Sequence, residues 1–253
     1  MLSKIGSYEI ELINLSPRQW NAFLKEHSNL PGPRANIELA QAFAHIGTLM
    51  DFKKLIRLDV DEAPENTPEE FLTFCGVLGY GQYLAKYHDS GLLKQLRERA
   101  NDSRWRIREA VAMALQSVGK KNMPRLVQYA KTWGEGTYLE QRAAVAALCE
   151  PDLLKTRSDC FAVFDLLDWV TATIVQNDEH QDDEGYQILK KALSYCWSVA
   201  VATLPEKGKP MMERWMKEKH PVVRKIMCQN LKKKRLENIE PEWTAGWLHQ
   251  ISD

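Results

Sequence analysis

Apolar residues recur every three or four positions along most of the chain, and sustained alternation is almost absent, so the pattern predicts an all-α protein. The exception is YEIELINL (8–15), which reads as a short extended arm within residues 1–15. Ser16-Pro17 then supplies an N-cap and a first helical residue, opening a helix with Trp20, Phe23 and Leu24 inward. NLPGP (29–33) breaks the chain. A helix with Ile37, Ala40, Ala44 and Thr48 on one stripe comes next, then a shorter one around Phe52 to Leu58. DVDEAPENTPEE (59–70) is an acidic loop whose Thr67-Pro68 starts the next helix. That helix, FLTFCGVLGYGQYLAKY, is apolar nearly all round and belongs at the centre of the packing. Four helical pairs extend from there to about residue 235, and residues 236–253 form a C-terminal cap with Trp243 and Trp247 one turn apart.

The helical pairs repeat. Arg108 precedes EAVAMAL, Arg142 precedes AAVAAL and Arg224 precedes KIMCQNL. Three residues after each arginine stands Val111, Val145 or Met227, and twelve before stands Leu96, Ala130 or Met212. The arginines lie 34 and then 82 residues apart, and the second interval is close to two periods of about 40. Two helices per period of this length predict an α-solenoid.

DSRWRIREAVAMALQSVG and HPVVRKIMCQNL resemble the second helix of HEAT repeats, over about residues 92–235. The resemblance implies a right-handed α-α superhelix, here of about five or six helical pairs in one domain, 1–253. It also implies that Arg108, Arg142 and Arg224 tie neighbouring repeats through hydrogen bonds. Asp102, six residues before Arg108, matches the family's turn acid, whereas Gly136 and Glu218 at that offset depart from it or match it only loosely. The chain is more distantly similar to the HEAT-like DNA alkylation-repair glycosylases, which set an aromatic residue beside an aspartate. Asp165, Asp168 and Trp169 in DLLDWV offer such a pairing, with Asp168 and Trp169 the candidate catalytic residues. That family's Trp-Trp-Asp type of stretch has no match here, and the bland alternative is a core tryptophan with acids at the wet edge.

Composition narrows the function. Thirty-four basic residues balance thirty-four acidic ones, which argues against a general polyanion binder, but the charge is unevenly spread. Residues 92–131 carry a net +7 and residues 191–235 a net +9, separated by a net −8 over 132–190. Two basic segments on a curved scaffold can grip a phosphate backbone through Arg97, Arg104, Arg106, Lys120, Lys121, Lys232, Lys233 and Arg235. The alternative is that these charges only solvate the outer face and complement helix C-termini.

Other motifs carry less. GVLGYG (76–81) lies within a helical pattern and lacks the nucleotide-fingerprint spacing, so its glycines serve close helix approach. NDEHQDDEG (177–185) lacks the calcium-loop rhythm and reads as an inter-helix loop capping the helix near Tyr186. Six scattered histidines and five distant cysteines in apolar contexts predict no metal or cofactor and a reduced, cytoplasmic setting. No apolar run reaches membrane-spanning length. The expectation is a non-catalytic binding scaffold whose partner is a protein or a nucleic acid, with a DNA-binding, glycosylase-like protein as the alternative.

Overall fold

The structure, a computed structural model, describes residues 3–252. These form fifteen α-helices and two 3-10 turns, with no strand among the described residues. The chain divides into two compact units, Met1–Lys121 and Asn122–Asp253.

The first unit contains α1 (Lys4–Asn14), α2 (Pro17–Glu26), α3 (Ile37–Ile46), α4 (Leu49–Leu55), α5 (Pro68–Lys86), α6 (Ser90–Arg99) and α7 (Trp105–Lys121). Helix α5 is central, packing on α2, α3, α4, α6 and α7, as its nearly uniform apolar surface predicts. Its glycines make that approach possible. A Cβ on Gly76 would lie 2.6 Å from the backbone N of Ile56, one on Gly81 2.5 Å from Cα of Ala114, and one on Gly79 inside the Phe52 ring.

Two expectations give way to the structure. Residues 8–15 are not an extended arm, because Asn14 and everything before it back to Lys4 is helical. Ser3 Oγ caps this helix by accepting from Gly6 N at 3.1 Å. Tyr8 and Leu12, one turn apart, then share a face: Leu12 is fully buried, Trp20 Nε1 donates to its carbonyl at 2.9 Å, and Asn36 Nδ2 donates to Tyr8 Oη at 2.9 Å. The apparent alternation is a helical face sampled over too few residues. Thr48, in turn, does not extend the α3 stripe. The helix stops at Gly47, and Thr48 caps α4, its N–H donating to Asp51 Oδ2 at 3.0 Å.

The second unit contains α8 (Met123–Gly134), α9 (Tyr138–Leu148), α10 (Arg157–Gln176), α11 (Glu184–Thr203), α12 (Pro205–Lys217), α13 (Pro221–Leu231), α14 (Lys234–Ile239) and α15 (Pro241–Ser252). From residue 90 to 231 the helices follow as α6/α7, α8/α9, α10/α11 and α12/α13, and LPEKGKP, expected as a linker, is the first part of α12. Of the positions marked by the repeat spacing, Leu96, Ala130, Met212, Val111, Val145 and Met227 are fully buried, whereas nine before the arginines Trp133 is buried but Arg99 and Trp215 are only half-buried. Helix α11 packs on α9, α10, α12, α13 and α14. Asn230, fully buried, fixes α13 to α11: its Nδ2 donates to Leu193 O at 2.8 Å and its Oδ1 accepts from Ser198 N at 2.8 Å. In the 177–185 loop, Asp183 Oδ1 accepts from Tyr186 N at 2.8 Å, the cap expected of it.

Candidate binding surface

Because Asn230 anchors the end of α13, the next few residues have little choice of position. The chain leaves α13 at Lys232 and enters α14 at Lys234, so Lys232 to Arg235 are held beside the outer face of α11. There Tyr195 is 43% exposed, and two of these cations sit on it. The Arg235 guanidinium carbon lies 4.4 Å from the ring centre, Lys233 Nζ lies 5.8 Å from it, and Arg235 Nη2 also donates to Tyr195 Oη. Beside them lies an open groove of about 460 Å³ lined by Pro151, Val199, Ala202 and Thr203 together with Lys233, Lys234 and Arg235. Among the described residues, Lys232, Lys233 and Lys234 form no ion pair. Of the basic residues singled out in the sequence, Lys232, Lys233 and Arg235 thus come together, and Tyr195 and Lys234 join them. Tyr195 is missed by sequence reasoning, which follows charge and leaves LSYCWS aside; its spacing of four from Lys191 is the signal that it shares a wet face.

The first unit treats its arginines differently. Arg97 is half-buried, and Lys120 and Lys121 are exposed at the C-terminus of α7. Arg104 and Arg106, expected on the surface to meet phosphate, are instead buried, at 1% and 5% exposure, and are bound internally. Arg104 Nε and Nη2 each donate to a carboxylate oxygen of Asp102 at 2.8 Å. Its Nη1 donates to Ala63 O at 2.8 Å and Asp59 O at 3.1 Å, and its Nη2 to Leu58 O at 3.2 Å. Arg106 reaches Glu70 Oε2 at 3.3 Å, Asn66 Oδ1 at 3.1 Å and the carbonyl of Gly32. These guanidiniums bind the acidic loop and NLPGP to α7, and so present no fork to an external phosphate. Burial pushes the Glu70 carboxyl up, against the lowering pull of the Asn66 N–H and Arg106. Burial also raises Asp102, but the Arg104 hydrogen bonds and the charges of Arg104 and Arg99 outweigh it and hold Asp102 below the ordinary range.

The repeat arginines differ in depth. Arg108 is buried, and its Nη1 donates to Asp102 O and Ser103 O, both at 2.7 Å, in the turn entering its own helix. Arg142 and Arg224 are half-buried on α9 and α13.

Asp168 and Trp169 are neighbours in sequence but face different helices. Asp168 Oδ1 accepts from Trp215 Nε1 at 2.8 Å and is ion-paired to Arg214, both on α12. Trp169 lies over Gly134 of α8, where a Cβ would meet its ring at 2.8 Å, and remains 41% exposed. A carboxylate engaged by two donors and an aromatic ring turned to another helix do not frame a common base pocket. No group of three or more metal-ligating side chains lies together among the described residues, and none of their helices is long and apolar enough to cross a membrane.

Neither a protein-family model nor a curated protein matches the chain.

Proposed function

We propose that this protein is a non-catalytic binding module, a HEAT-like α-solenoid of right-handed helical pairs that holds an anionic macromolecule. One observation carries the reading. Lys232, Lys233, Lys234 and Arg235 follow one another on the surface of the second unit, Lys233 and Arg235 against the exposed Tyr195, and among the described residues no carboxylate neutralises the lysines. Unneutralised cations held side by side raise the local positive potential, which favours the approach of an anionic partner. The reading also draws support from the stacking of second helices, α5 on α7 and α9 on α11 on α13.

The test uses the full chain immobilised against lysate of the cells that make it, beside the triple variant Lys232→Glu, Lys233→Glu, Lys234→Glu. A defined macromolecule retained by the natural protein and lost by the variant is the expected result. Retention of nothing at low salt, or equal retention by both proteins, rejects the reading.

A second reading, DNA binding in the manner of the alkylation-repair group, draws on the same basic segment together with Lys120 and Lys121. Nuclease treatment of the retained material separates the two. The glycosylase part of that reading rests on Asp168, so an unchanged excision rate in Asp168→Asn on alkylated duplex would remove it.

A further inference from the structure

We infer that the groove between α11 and α14 receives an acidic segment of a partner protein, with one large apolar side chain on the groove floor and flanking carboxylates on the cationic rim. This deepens the binding-module reading and rests on it. The groove has two chemistries at once. Part of its lining is apolar and reachable, from the pyrrolidine of Pro151 and the side chain of Ala202, with Val199 buried beneath and Thr203 alongside. The Thr203 hydroxyl gives its hydrogen to Val199 O at 3.0 Å, so the floor has no free donor. The rim is Lys233, Lys234 and Arg235.

A nucleic-acid strand uses the rim but not the floor. Its bases would set polar edges against aliphatic carbon and leave acceptors unsatisfied. Sequence-tolerant strand binding also needs aromatic faces for the bases, and the tyrosine ring beside this groove is already engaged by Arg235 and Lys233. A leucine or phenylalanine loses nothing on such a floor and gains by burial. Carboxylates on either side of it meet the forked guanidinium and the two ammonium groups. Arg235 is pre-set for this by its contact with Tyr195, which limits the freedom it loses on binding.

The experiment is fluorescence anisotropy of the full chain with three labelled probes: an Asp/Glu peptide with one central Phe, the same peptide with Ala there, and a single-stranded oligonucleotide of equal formal charge. Two variants accompany it, Lys233→Glu/Lys234→Glu on the rim and Ala202→Trp to fill the floor, each checked for unchanged helicity. The Phe peptide is expected to bind best, and to lose at least ~5-fold on Phe→Ala and in either variant. Its binding should also weaken as salt rises from about 50 to 200 mM. Equal affinity for the Ala peptide, or no effect of Ala202→Trp, overturns the groove assignment by showing charge attraction alone. Tighter binding of the oligonucleotide overturns it in favour of nucleic acid. Sedimentation of the chain alone closes the remaining route: self-association abolished by the rim variant would make the occupant a second copy and overturn a foreign partner. If no peptide binds while the lysate partner is still lost on the triple reversal, the groove assignment fails and the module reading stands. If nothing is retained from lysate either, both fail.

Discussion

Arg104 and Arg106 lie two residues apart and would pass in composition for two more surface charges. Each instead answers a group that folding has buried. Glu70 is fully buried, so Arg106→Met leaves its carboxylate without its ion-pair partner and should cost about 3–5 kcal/mol, read from urea unfolding. Adding Glu70→Met should recover most of that loss, because the desolvated charge goes with its partner. Asp102 gives a pH-dependent test. Its folded pKa lies below the ordinary value of 3.8, so its stabilisation is present above that value and is lost as pH falls through the folded one. Asp102→Asn should therefore destabilise by about 3 kcal/mol at neutral pH. It should also flatten the fall in stability as pH drops below 3.8. Glu70 runs the other way: with its pKa raised, ionisation weakens folding as pH climbs from 4.5. In the sequence these arginines group with the exposed lysines because charge counts carry no information on which helix face is covered. The signal lay in the six acidic residues of 59–70, which the charge pattern left without a partner.

At the scale of elements the chain is far more legible. Spacing around Arg108, Arg142 and Arg224 picks out positions that are fully buried, since a 3.6-residue period with two apolar helices per unit leaves little choice of inward face. YEIELINL misleads because eight residues contain barely two helical turns, too few to separate period two from period 3.6. Glycines in α5 show how tightly its neighbours approach. Gly81→Ala gains about 1 kcal/mol in helix propensity. It also forces a methyl against the backbone of Ala114, and overpacking of that kind costs roughly 1–3 kcal/mol. A net loss is expected in the thermal midpoint. Gly246 in α15 meets nothing within 4 Å, so Gly246→Ala should raise stability by about 0.5–1 kcal/mol in the same measurement.

Across the whole molecule, the five thiols report on the fold. Cys75, Cys149, Cys160 and Cys196 are buried, and burial pushes the Cys75, Cys149 and Cys160 thiols up, away from the reactive thiolate. Cys228 alone is half-exposed. A chromogenic disulfide reagent should therefore titrate one thiol quickly in the native protein and the other four only at the rate of unfolding. Two or more fast thiols would contradict this pattern of burial. The place of the basic patch, by contrast, is beyond any chain-wide reading. Net charge is zero over the whole protein, and the cluster at Tyr195 is placed by tertiary packing: a buried asparagine holds the end of α13 against α11, and the buried Leu236 helps seat α14. The Arg104 bonds also decide where a tag or reporter can be spliced into the chain. The acidic stretch 59–66 looks like the ideal place, being charged, proline-bearing and between helices, yet its carbonyls at Asp59 and Ala63 are held by a buried guanidinium. An inserted epitope there would be rejected, while the same epitope between Gln181 and Asp183, in an exposed loop, should be carried without loss of fold.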